Sequence, residues 1–350
     1  MNTKTLFSLA MAAFVASCSN DVVVSEKSDT PIRITTSIDK QTRGGYTQAT
    51  DITEFKMSAF KKTGSNDAWI DNVDVTYDGS SCSWFGNTVW PGDGSGLVFV
   101  AYAPNSLSTG TPSLSYNSSV ITGFEQSTTS PIDLITAYND VSNGAGVQLN
   151  FKHALSKIEV KAKNESNLGY TIDIKGIRIG GVNQKGNLAW QTSSSGLPTW
   201  SEQTNKGKFT YEGTTEVSNP TSETLIMFDK EFYMIPQTLT AWDPTNDGPN
   251  TAGGSYISVY CCIKNNSVAV FPTTDDYAWA AIPFEGTWKP GHKYIYTLKF
   301  FANGNGGAGY KDPEETDGGK PIIQNTDINI SVSITDWTTD SSDNVEVVYI

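Results

Sequence analysis

The sequence predicts an all-β protein, and three observations carry that prediction. Apolar residues recur at every second position from about residue 32 to the C-terminus, the period of a strand with one buried face. Helical periodicity is nearly missing. Between runs of strand length lie clusters of Gly, Asn, Asp, Ser and Pro, the residues of turns. Many short strands separated by turn signals argue for β-sandwiches. Once an apolar leader is set aside, about 330 residues remain, enough for two such domains in tandem. The expected division is an N-terminal domain over 31–148 and a C-terminal domain over 149–350.

The first strand is "PIRITTSI", where Ile32, Ile34 and Ile38 share one parity and Arg33, Thr35 and Ser37 the other. It ends at "DKQTRGG", in which Arg43 precedes Gly44 and Gly45. Such a joint reads either as a plain surface turn or as a place to be cut. "EFKMSAF" repeats the alternation with Phe55, Met57 and Ala59, and "GLVFVAYAP" is an apolar run of strand length stopped by Pro104. In "GVQLNFKHALSKIEVKAK" the pattern slips phase: Val147 to Leu155 follow odd numbers, Ile158 to Ala162 even ones. One extra residue near Ser156 or Lys157 would restore register, which predicts a β-bulge. A second slip falls at Gly176 in "YTIDIKGIRIGG". "EFYMIPQ", "YISVYCCIK", "HKYIYTLKF", "DINISVSITDW" and "NVEVVYI" complete the series. The 18-residue loop "NGNGGAGYKDPEETDGGK" has the composition of a solvated, mobile segment.

The leader, residues 1–17, combines Lys4, an apolar run too short to span a bilayer, and small residues, the signature of an export signal. "VASC" has the form of a bacterial lipobox, so Cys18 is the expected site of lipidation, followed by a polar tether over 18–30. Acyl chains on that cysteine would hold the protein to a membrane, each buried methylene adding about 0.8 kcal/mol. A net charge of −13 excludes nucleic acid and adsorption to anionic lipid as modes of action. Cys82, Cys261 and Cys262 are odd in number. The adjacent pair would point to opposite faces of a strand, so no disulfide framework follows and all three read as small buried groups.

Chemistry is sparse. His153 shares the apolar parity of its strand and reads as a core residue, whereas His292 follows "WKPG" and reads as a surface residue of a turn. Neither has a partner at metal-ligand spacing. "DPTNDG" (243–248) begins like a calcium loop, but its twelfth position is Gly254 rather than glutamate. Nucleophile elbows, phosphate loops and dinucleotide fingerprints do not occur, so neither cofactor nor enzymatic activity is expected. Trp69, Trp84, Trp90, Trp190, Trp200 and Trp242 lie near loops. Exposed, they would stack on sugar rings and mark a glycan-binding surface protein; buried, they would plug the ends of a sandwich.

Taken together, "LVFVAYAP", "PIDLITAYNDV", "VQLNFKHALSKIEVKAKN", "FYMIPQTL", "WKPGHKYIYTLKF" and "INISVSITDW", in this order, resemble the fimbrillin family of Bacteroidetes, which builds type V pili. The resemblance implies two transthyretin-like β-sandwich domains and a pilus subunit exported as an outer-membrane lipoprotein. It further implies that an arginine-specific protease cuts between Arg43 and Gly44, discarding the strand of Ile32, Ile34 and Ile38. A neighbouring subunit then supplies a donor strand, here Val345, Val347 and Tyr349, and the assembled fimbrium supports adhesion to host or bacterial surfaces. A lipid-anchored tip or anchor protein of the same fold, which does not polymerise, is the alternative.

Overall fold

A computed structural model describes residues 30–38, 51–63, 66–246, 253–274, 276–302, 307–323 and 328–336, and among them the chain is all-β. Its first sheet has seven strands: β1 (Ile34–Ile38), β2 (Glu54–Lys61), β3 (Ala68–Tyr77), β4 (Cys82–Trp84), β5 (Leu97–Ala103), and, after an excursion, β8 (Ile135–Val141) and β9 (Val147–His153). Their spatial order is β1-β9-β8-β5-β2-β3-β4. The sheet curls onto itself: Phe55 on β2 meets Phe151 on β9 edge to face, with ring centroids 5.3 Å apart, although three strand steps separate them. Inward-facing residues of β1, β2, β3, β5, β8 and β9 thereby enclose one apolar core.

The excursion consists of β6 (Thr111–Ser113) and β7 (Val120–Glu125), which leave the first sheet and join another. Their host is β11 (Tyr170–Ala189), a twenty-residue strand. β12 (Thr199–Ser218) pairs along nearly the whole of one side of β11. The other side is shared, β16 (Tyr256–Asn265) taking residues 170–180 and β7 residues 185–189. The eight-stranded sheet is completed by β17 (Val268–Phe271), β18 (Ala278–Pro283) and β21 (Tyr310–Lys311). Opposite it lies a five-stranded sheet of β10 (Ser156–Asn164), β13 (Thr224–Leu225), β14 (Phe232–Met234), β20 (His292–Phe300) and β22 (Asn329–Asp336). β15 (Thr238–Leu239) and β19 (Gly286–Thr287) form a separate ladder. The second core fills the space between the large sheets, with Ile158, Val160, Ile177, Ile257, Val259 and Leu298 wholly buried.

The two phase slips have different outcomes. At Gly176 the register of β11 shifts against both β12 and β16, the bulge its sequence predicts. At Ser156 the expected bulge is instead a strand break. β9 spans residue 148 and ends at His153 in the first sheet, while β10 begins at Ser156 in another, parallel to β20. The chain changes sheets at Ala154 and Leu155, which are both fully buried, so the parity change marks a change of core. The described part of the glycine-rich loop also departs from expectation. Ala308 and Asp312 are wholly buried and β21 pairs with β18, because Asp312 is drawn inward to Arg178.

Candidate functional site: an edge strand closing the first core

Among the described residues β1 is the outermost strand of its sheet and pairs only with β9, in parallel, from Ile34 opposite Val147 to Ile38 opposite Phe151. The segment just before it faces the other side of the core. The amide of Ile32 donates to the Thr88 carbonyl (2.8 Å), that of Trp90 to the Thr30 carbonyl (2.9 Å), and Pro31 bridges Val89. Residues 30–38 therefore close the sandwich like a bolt, caught on one flank near Trp90 and on the other by β9. Ile32, Ile34 and Ile38 are buried with Leu149, Phe151 and Trp90 in the first core, as their shared parity predicts. Outward residues add modest polar contacts: Thr35 Oγ1 donates to Gln148 Oε1 at 2.7 Å, and Ser37 Oγ to Asn150 Oδ1.

Two features bear on how firmly this closure is held. β8, the other neighbour of β9, pairs with it only at Lys152 and His153, and further along a side-chain contact from Asn139 to the Gln148 carbonyl (2.7 Å) takes over. Without β1, Val147 to Phe151 would keep few ladder bonds on either side. Second, Thr36 sits on the inward parity between Ile34 and Ile38, buried to 7% exposure, and its hydroxyl has no hydrogen-bond partner among the described residues. A buried hydroxyl left unpaired costs about 1–3 kcal/mol. Sequence reading passed over Thr36; the signal available was a polar residue on the apolar parity of an otherwise regular strand. Cys18, Arg43, Gly44, Val345, Val347 and Tyr349 lie outside the described residues.

The remaining sequence candidates fall into structural places. His153 is a core residue, its Nδ1 3.0 Å from Asp133 Oδ1, and both side chains are buried. His292 is not a surface turn residue: it opens β20, half-buried, with Nδ1 2.8 Å from the Pro290 carbonyl oxygen. Asp243 spends its carboxylate locally, accepting from the amides of Thr245 (2.9 Å) and Asn246 (3.1 Å) and from both their side chains. Those bonds pull its carboxyl down to about 2. Among the described residues no group of His, Cys, Asp and Glu is placed to hold a metal. Trp90, Trp190 and Trp242 are buried and Trp69, Trp84 and Trp200 half-buried, so the six tryptophans mostly plug cores.

Cys261 and Cys262 are both buried because β16 is covered on both faces, and Cys82 is half-buried. Burial pushes the Cys82 thiol up to about 12, with the Asp78 charge adding to it, and holds the Cys261 thiol far above its ordinary value. In a Cys18→Ser chain, a maleimide at neutral pH should therefore leave Cys261 and Cys262 unmodified until denaturant is added. Rapid native labelling of Cys261, read by peptide mass, would contradict the packing of β16.

Fold and site together define a class: an all-β protein of stacked sheets whose first core is closed by an N-terminal edge strand. The chain belongs to the fimbrillin-like family, the model of which matches residues 40–337. Among solved structures it is similar to a fimbrial protein from Bacteroides vulgatus, with a TM-score of 0.58 and 18% identity over 87% of this chain and 99% of that one. It also aligns with a proposed cell adhesion protein from Bacteroides ovatus, at TM-score 0.46 and 15% identity over 89% and 99% of the two chains. A fimbrial assembly protein from Parabacteroides distasonis aligns at TM-score 0.35 and 10% identity over 91% and 100%. The first of these likenesses shows a shared fold. No curated protein matches the chain significantly.

Proposed function

We propose that this protein is a structural subunit of a surface fimbrium that supports adhesion, exported as a lipoprotein on Cys18 and tethered to the outer membrane. An arginine-specific protease cuts after Arg43, and the C-terminal strand of a neighbouring subunit, with Val345, Val347 and Tyr349, replaces β1. The single observation that carries this reading is the 30–38 segment with β1: among the described residues it is an edge with one ladder partner, three buried isoleucines (Ile32, Ile34 and Ile38) and one unpaired inward hydroxyl. Strand exchange of this kind takes its affinity from main-chain bonds and its register from alternate side chains, which is the geometry β9 offers. Membership of the fimbrillin-like family and the fold shared with a fimbrial protein support the same role. Its partners are then other fimbrial subunits and the protease, and no catalysis is required of it.

One observation favours a second reading. Among the described residues β22 is itself the edge of the five-stranded sheet, a place that the segment 345–350 would fill if it completes its own sandwich, which leaves a non-polymerising, lipid-anchored protein. Deleting residues 345–350 separates the two. Under the first reading the oligomer ladder disappears on a denaturing gel while thermal unfolding stays within a few degrees of the full chain. Under the second, the deletion lowers the melting temperature sharply. Recovery of Gly44 as the N-terminus of surface-exposed protein is the companion result, and Cys18 in its place would refute the processing step.

A further inference from the structure

The outer face of the first sheet and the far end of β11 meet in a seam, and the seam holds a cavity of about 350 Å³. Val100 and Tyr138, opposite one another on β5 and β8, supply one wall. The β6–β7 loop, Ser115 to Ser119, supplies the second, and Ala189 to Thr192 at the end of β11 the third. The volume lies at the lower end of the range for small-molecule sites.

The lining has a consistent chemistry. None of its residues is charged, and Lys62 and Asp140, whose charges reach Tyr138, pair with one another. Three aromatic rings, Tyr116, Tyr138 and Trp190, belong to it. The indole N–H of Trp190 is committed to the Ala101 carbonyl at 3.2 Å, so toward the cavity this residue can offer only its ring. Among the described residues neither tyrosine hydroxyl has a hydrogen-bond partner, and burial raises the Tyr138 phenol, which keeps it a neutral donor and acceptor.

Gln191 is 3% exposed and fixed: its amide donates to the Thr136 carbonyl at 3.0 Å while its oxygen accepts from Thr136 Oγ1 at 2.9 Å. A primary amide has two donors and two acceptor sites, so one of each remains uncommitted. The loop opposite is held by its own bonds, Ser119 Oγ to the Ser115 carbonyl (3.0 Å) and Ser115 Oγ to the Ser118 carbonyl (2.8 Å). The walls are thus set before any ligand arrives.

An uncharged recess with aromatic faces and pre-positioned amide and hydroxyl groups suits a molecule that is polar at its edge, apolar on its face and without charge. We propose that this cavity binds a neutral saccharide, one or two hexose units in size, with Tyr116 and Tyr138 flanking the ring and Gln191 hydrogen-bonded to its hydroxyls. The site would give the protein a glycan contact that does not depend on exposed tryptophan, and it is independent of strand exchange.

The test is saturation-transfer NMR on the purified full chain with glucose, galactose, mannose, N-acetylglucosamine, lactose and maltose as probes. At least one should show transfer to its ring protons, and Tyr116→Ala should weaken that sugar about tenfold or more while the oligomer ladder is unchanged. Tyr138→Phe, which keeps the packing and removes only the hydroxyl, should weaken it several-fold without altering thermal unfolding. Transfer from none of the six sugars overturns the proposal, as does transfer that persists undiminished in both variants.

Discussion

Cut after Arg43 and stripped of its N-terminal fragment, the protein should lose the cooperative unfolding of its first core and regain it when a strand peptide is supplied. The fragment takes with it Ile32, Ile34 and Ile38, each of which contributes about 1.5–3 kcal/mol by burial, or about 5–9 kcal/mol together. That is comparable to the whole stability of an ordinary domain, about 5–15 kcal/mol. The loss falls on a core whose strand β9 has few other ladder partners. A synthetic peptide of residues 343–350 should restore the transition in a calorimeter, as should one of residues 30–38. If the stripped protein melts as the intact one does, β1 is no plug.

Thr36 sharpens this prediction. Its hydroxyl, unpaired among the described residues, makes β1 a weaker closure than an all-apolar strand of equal length, which under the proposed exchange would favour its replacement once the covalent link is cut. Thr36→Val removes that penalty of about 1–3 kcal/mol. The cut variant should therefore hold its fragment longer and form oligomers about tenfold more slowly or worse. Arg43→Ala, by contrast, should leave the chain uncut and monomeric with β1 undisturbed. Faster assembly of the valine variant would be the wrong sign for this account.

Asp312→Ala should destabilise the second core by about 3–5 kcal/mol, the usual cost of breaking a buried ion pair from one side. Arg178 on β11 reaches Asp312 at 2.9 Å, donates through Nε to Thr210 of β12 at 3.1 Å, and stacks on Trp279 of β18 with 4.2 Å from guanidinium carbon to ring. Asp312, with no exposed surface, also accepts from Ser258 of β16 at 2.5 Å and from the Glu314 amide at 2.8 Å. One pair thus ties four strands to the segment after β21. Removing the carboxylate strands a guanidinium in a low-dielectric interior, where attraction was compensating desolvation. The double variant Arg178→Met/Asp312→Leu should recover most of the lost denaturation midpoint, and equal loss in single and double variants would exclude electrostatics as the cause.

How much of this could be read from the sequence depends on whether a signal was local. Alternation placed β1, β2, β9 and β11, and the parity of Ile32, Ile34 and Ile38 gave their burial, because side chains two apart share a face whatever the tertiary context. The slip at Gly176 reads correctly as a bulge, and the same signal at Ser156 does not. A parity change records only that the buried face has changed, and a bulge and a passage into another core produce the same string. Arg178 and Asp312 look like ordinary surface charges, 134 positions apart, and nothing nearby in sequence announces that they meet. The described part of the glycine-rich loop departs from its composition for the same reason, since Asp312 is the residue that anchors it. The seam cavity has no sequence signature, because its walls come from four separated segments that only the topology assembles.

The excursion of β6 and β7 has a mechanical consequence. The chain passes between the first sheet and the sheets around the second core three times: outward before β6, back after β7, and finally at Ala154 and Leu155. Each passage shortens the lever on which one half could swing against the other, and Phe60, Tyr102, Phe124 and Trp190 pack the interval between them. Two beads on a single linker would hinge; two bodies stitched by three crossings, with a common apolar filling, resist both bending and torsion. A filament assembled from such units would be stiff within each subunit and would curve where a donated strand joins one to the next.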